Sequence, residues 1–436
     1  MRLSDLLLPL FLLLIAPSAE GGDFYYTYGE TDGGLGKLSI DATAQHFEQS
    51  KISPATLQSP KRIRLSADGR HGIVGSEDSP KIWVLHLDTH PIAMVELTVE
   101  GKTSKLEVQG DHALVASSKG WFYWINLPNG TIEHSWNARS GLTPPGRKGE
   151  EICFLPQQKQ ALITFQKDDK TGTDKGSRLL VFDLEKFSPL HDILLPRDHA
   201  NLHLPASLKE QGPNPELIFV SPRTNTLILS LDLYGALATF DLHAALQGQL
   251  LNLKYTPTSL SSDWGTSFPD RGALFKAGEK DYLLISNAAQ QGGLALFDVA
   301  DRRVLQTFPA SAGAEAPLYL AHSQQLVTVI SGKLKSRGSK GLEKIYQPGN
   351  KLLVFGTSEL AAGGKMSFEE ITFPFPVSRL DALDPSASSL LLLLSEAPGH
   401  PEWLIYDLAN RTITRREPAP AAISRIAAWR GASPAK

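Results

Sequence analysis

Twelve histidines and a single cysteine set the scope for side-chain chemistry in this chain of 436 residues. Cys153 stands alone, which excludes an intramolecular disulfide framework, a thiolate metal cluster and a CxxC redox pair. Its neighbours Ile152 and Phe154 read as an innermost, buried strand. His191, His199 and His203 form the one histidine cluster. On a helix, His199 and His203 would share a face as metal ligands, but Pro196 and Pro205 flank them and favour an exposed loop. Asp168, Asp169 and Asp174 offer oxygen atoms to calcium without the alternation of an EF-hand loop, so a solvated loop is the plainer reading. Gly34-Leu35-Gly36-Lys37 imitates part of a phosphate loop, yet Thr31 stands at the first glycine position and no helix follows. It reads as a hairpin loop. There is no Gly-x-Ser-x-Gly elbow and no His-Glu-x-x-His. These residues assign no catalytic group, no metal site and no cofactor.

The elements that would position any such chemistry repeat along the chain. Eight short apolar runs end in a polar anchor residue: Asp41, His86, Asn126, Asp183, Asp241, Asp298, Gly356 and Asp407, where Gly356 is the exception in lacking a side chain. Successive anchors are 45, 40, 57, 58, 57, 58 and 51 residues apart. Each run follows a second apolar strand, and seven of those follow a third, with turn chemistry between them such as Asp68-Gly69 and Asp384-Pro385-Ser386. A more polar strand follows each anchor, as in Thr131–Trp136. Four antiparallel strands per unit of about 50 residues read as an all-β fold, a single β-propeller.

The ends of the repeat give the blade count. The segment from Asp23 starts on the second strand of a unit and lacks a first one. At the other end, Ile423-Ser424-Arg425-Ile426-Ala427-Ala428-Trp429 copies Val377-Ser378-Arg379-Leu380-Asp381-Ala382-Leu383 and then the sequence stops. Pairing the two fragments closes a ring and removes an exposed sheet edge. The expectation is eight four-stranded blades, closed by N- and C-terminal strands; seven is the alternative, should the hairpin around Asn126 be an insertion. The boundaries read as a secretory signal over 1–22, a propeller over 23–430 and a tail over 431–436. The signal rests on Arg2, ten residues (6–15) that are apolar but for Pro9, and the small residues that follow. They are too few to cross a bilayer. An exported protein, periplasmic or extracellular, is expected.

Leu65-Ser66-Ala67-Asp68-Gly69-Arg70 leading into Ile82-Trp83-Val84-Leu85-His86-Leu87 resembles the turn and hairpin of YVTN-repeat blades. Ile125-Asn126-Leu127-Pro128-Asn129-Gly130-Thr131 with Trp136 resembles a quinoprotein blade. Together they resemble the superfamily of YVTN-repeat, WD-repeat-like and quinoprotein-like propellers. That resemblance implies a fold, not an activity. A quinoprotein would need a tryptophan platform, calcium-binding carboxylates and often a vicinal cysteine pair, and one cysteine excludes that pair.

Long units locate their surplus at 137–150, 166–178, 194–215, 254–271 and 331–351. These are links between blades or loops between second and third strands, and both kinds emerge on one face. Insertions gathered on one face mark a binding surface. Their net charge sums to +8, on a chain whose 43 basic and 46 acidic residues leave −3 overall. Near-zero net charge gives no nucleic-acid signature. The basic run Lys333, Lys335, Arg337, Lys340, Lys344 and Lys351 is the densest, and Lys335, Arg337 and Lys340 are expected to converge on one anion. Candidate ligand contacts are Arg147, Lys148, Lys333, Lys335, Arg337, Lys340, His199, His203 and Trp264. The leading expectation is a non-enzymatic, monomeric propeller that binds a protein or anionic polymer through this face. The alternative is a lactonase-like or quinoprotein-like enzyme with its site at the channel mouth, drawing on His199, His203, Asp263 or Asp270.

Overall fold

The computed structural model describes residues 22–429, apart from 30–31, 54–55, 147, 156–157, 166–176, 262, 291, 310–312, 339–340 and 398. The signal expected over 1–22 and the tail over 431–436 lie outside the described residues, except that Gly22 opens the first strand. The acidic group Asp168, Asp169 and Asp174 also lies outside them.

Eight antiparallel sheets form the ring. Blades 1 to 7 occupy residues 60–98, 103–137, 149–194, 215–257, 269–308, 318–372 and 377–418, each with its strands in chain order. Blade 8 joins the last strand, Ile423–Trp429, to Gly22–Tyr28, Asp32–Ile40 and Phe47–Lys51. Its register pairs Asp23 with Trp429 and Tyr26 with Ile426. The hairpin around Asn126 is a full member of blade 2, which settles the count at eight.

Packing gives the same number. An apolar cluster fills every gap between neighbouring blades; Phe122 of blade 2 meets Phe165 and Phe182 of blade 3, and Tyr25 and Leu35 of blade 8 meet Ile63 and Val74 of blade 1. Second and third strands are covered on both faces, so they read as continuous apolar runs such as Leu390–Ser395, and not as alternating ones. Outer strands such as Thr412–Pro418 alternate with solvent and stay polar. Anchors such as Asp183 and Asp407 cap the turns that follow them. Asp183 accepts from the Glu185 and Lys186 amides, and Asp407 from those of Ala409 and Asn410.

Gly34-Leu35-Gly36-Lys37 departs from the expected hairpin loop and lies inside the strand Asp32–Ile40. The glycines serve packing there: a Cβ on Gly36 would sit 2.1 Å from the Tyr26 ring, and one on Gly34 2.4 Å from the Tyr28 hydroxyl.

Candidate functional site

Seven of the eight innermost strands break register at the same place. The first residue pairs normally, one extra residue bulges, and the ladder resumes: Pro60/Arg62, Thr103/Lys105, Gly149/Glu151, Pro215/Ile218, Pro269/Arg271, Val377/Arg379 and Ile423/Arg425. A bulge bends its strand and re-aims side chains. Each lies where the chain enters the innermost strand, on the face that carries the interblade links. Six of the seven resume on a charged residue, so the bulges build a charged rung around the axis: Arg62, Lys105, Glu151, Arg271, Arg379 and Arg425. Most of this rung lines a central cavity of about 1120 Å³.

The fifth insertion, expected as a loop, is a β-hairpin, Lys333–Gly338 paired with Gly341–Tyr346. It crosses the mouth. The Lys335 amide donates to the Ala288 carbonyl, and its ammonium lies 2.8 Å from Glu216, 2.8 Å from Asp232 and 2.9 Å from Asp270. Burial drives the Glu216 carboxyl well above its ordinary range, and Asp232 and Asp270 push it further. Asp270 is held far below its range because Lys335 and Arg271 outweigh its burial. Burial would depress the Lys335 ammonium, but the three carboxylates raise it. Burial raises Asp232 as well, against the pull of Lys335.

A second group lies beside it. Glu315 pairs with Arg271 at 3.0 Å, Lys333 at 3.0 Å and Arg379 at 3.4 Å. Burial raises its carboxyl, but Arg271, Lys333 and Arg379 pull it down to about 2. Lys333 falls to about 8 because burial outweighs the attraction of Glu315.

The sequence candidates divide accordingly. Lys333 and Lys335 reach the cavity, but they face inward and are committed to carboxylates. Glu216, Asp232 and Asp270 surround the Lys335 ammonium. Arg337 lies on the hairpin's first strand, while Lys340 and Arg147 fall outside the described residues. Lys148 lines the cavity with its ammonium 2.5 Å from Glu150. His199 bonds Asn201 at 2.5 Å and meets the Tyr255 ring edge-on, and His203 is exposed in a loop, so the two share no helix face. Trp264 packs, half-buried, on the core of blades 3 and 4. Of the enzyme candidates, Asp270 lines the cavity and Asp263 is exposed outside it. Burial raises the Cys153 thiol to about 11, which leaves it un-ionised near neutrality. No histidine lines the cavity among the described residues. In the tight turns of the opposite face, Asp68, His71 and Asp111 bring ligand atoms within 4.8 Å of one another. There Asp68 Oδ1 already accepts from the Ser66 hydroxyl and the Arg70 amide.

Sequence reasoning missed the arginines of the rung. Their signal is the shared offset of Arg379 and Arg425 in copied segments, repeated by Arg62 after Pro60-Lys61 and Lys105 after Thr103-Ser104.

No protein-family description matches the chain, and no curated protein is similar to it in sequence. Solved structures are similar in fold. The dihydro-heme d1 dehydrogenase NirN, in complex with DHE, is 13% identical with a TM-score of 0.67, covering 95% of this chain and 76% of NirN. Apo AztD from Citrobacter koseri is 12% identical with a TM-score of 0.57, covering 94% and 98%. The C-terminal WD40 domain of Sif2 is 11% identical with a TM-score of 0.55, covering 86% and 90%. At such identities the likeness is one of fold. Eight closed four-stranded blades, with these neighbours, make the chain a β-propeller.

Proposed function

We propose that the protein is an exported, non-enzymatic binding propeller whose ligand enters the central cavity from the loop-rich face. The observation that carries this reading is the ring of bulges. Six of the seven bulged strands, all but that of blade 7, place side chains in the wall of one cavity. Its volume, about 1120 Å³, is that of a generous small-molecule pocket. The NirN structure, a propeller of similar fold, holds a ligand. The non-enzymatic side of the reading rests on the acidic triad. Its carboxylates are the natural acid–base candidates, and Lys335 is lodged among them.

The test is to extract ligands from protein purified out of its native compartment and identify them by mass spectrometry. Ala316 lines the cavity and is exposed to it, so Ala316→Trp fills space without disturbing a strand. The wild type should retain a small molecule that Ala316→Trp has lost. Retention of the same molecules by both proteins, or of none by the wild type, would sink the reading.

A further inference from the structure

We infer that the cavity holds an oxyanion site at Arg62 and Arg425, for a small organic anion bearing carboxylate or phosphate groups. This rests on the reading that the ligand enters the cavity, and it adds the ligand's chemistry.

The charged rung carries five cations, and their partners can be followed one at a time. Lys105 pairs with Glu151 at 2.7 Å. Arg271 and Arg379 share Glu315. Deeper in the same strand, Arg64 makes a two-pronged contact with Glu107, at 2.8 Å to each oxygen. Arg62 and Arg425 have no ion-pair partner among the described residues. They lie on the innermost strands of blades 1 and 8, which are neighbours in the ring.

Both side chains belong to the cavity wall. Arg62 Nε is shielded from solvent and makes no hydrogen bond. Arg425 is exposed and lines the cavity. Burial, then repulsion from Arg379, lowers its guanidinium to about 10. Burial also lowers Arg62, with partial relief from Glu77 and Glu150. Glu77 does not neutralise it, because Glu77 is paired with Lys61. Two guanidiniums with surplus positive charge, lining one cavity, are the setting that an oxyanion completes. The guanidinium fork fits carboxylate and phosphate oxygens in pairs. A cavity of this volume suits a small molecule rather than a polymer.

The experiment titrates the full-length protein with citrate and with pyrophosphate, by calorimetry at low ionic strength. The variants are Arg62→Gln, Arg425→Gln, their double, and Lys365→Gln as an exposed control. At least one probe should bind the wild type saturably. Each arginine replacement should weaken binding about tenfold or more, the value of a charge-assisted contact. The control should bind like the wild type. Citrate alone binding assigns a carboxylate ligand, and pyrophosphate alone a phosphate. Since Arg62 and Arg425 repel their neighbours, the unliganded double variant should melt no lower than the wild type, which separates a binding role from a structural one. Equal affinity in the double variant and the wild type would overturn the site. Failure of both probes to bind would overturn the anion class. In both of those cases a ligand lost from Ala316→Trp would leave the cavity reading standing.

Discussion

At the scale of single residues, Lys335 is the most consequential side chain in the channel. Three carboxylates surround it, and Asp232 is only 3% exposed. Breaking a buried charge group by removing one partner costs far more than the intact group contributes, because the remaining charge is stranded. Lys335→Met should therefore destabilise the protein by about 3–5 kcal/mol in chemical denaturation. A loss below about 1 kcal/mol would show that the triad is solvated and not buried. Glu315 gives a pH signature. Its carboxyl is held at about 2 in the folded protein, below its ordinary value of 4.5. Its contribution is thus complete above the ordinary value and is lost as pH falls toward about 2. Stability should fall across that window, and Glu315→Gln should flatten the fall. An unchanged acid slope in the variant would contradict the assignment.

The elements were easier to read from sequence than the site. The apolar runs are visible because both faces of the middle strands are covered, and the anchors because in five of the eight a carboxylate caps the following turn. Ring closure is legible because Ile423–Trp429 copies the first strand of blade 7 and Asp23 starts on a second strand. The site was obscured by the bulges. One extra residue changes which side chain faces the axis, and nothing in Pro60-Lys61-Arg62 announces it. The hairpin was misread for a related reason. Lys333 and Lys335 look like a solvated basic run until Glu216, Asp232, Asp270 and Glu315, from blades 4 to 6, are seen beneath them. Closure itself predicts an outcome. Deleting residues 420–436 removes the partner of Gly22–Tyr28 and exposes an unpaired edge beside the blade 7 core. The truncated protein should aggregate or melt far below the full chain. Equal melting temperatures would refute the shared blade.

For the whole molecule, bulk charge and local charge diverge. The chain carries a net −3, yet the seam between blades 8 and 1 sets Arg425 and Arg62 in the wall of one cavity. Exposed lysines would attract an anion weakly through salt water, whereas guanidiniums in a cavity wall are screened less. The most direct measurement is a crystal of the wild-type protein soaked in selenate, with the anion located by its anomalous scattering. The account predicts a peak within hydrogen-bonding distance of both the Arg62 and Arg425 guanidiniums. Selenate found only at outer lysines, with none between these two arginines, would contradict it.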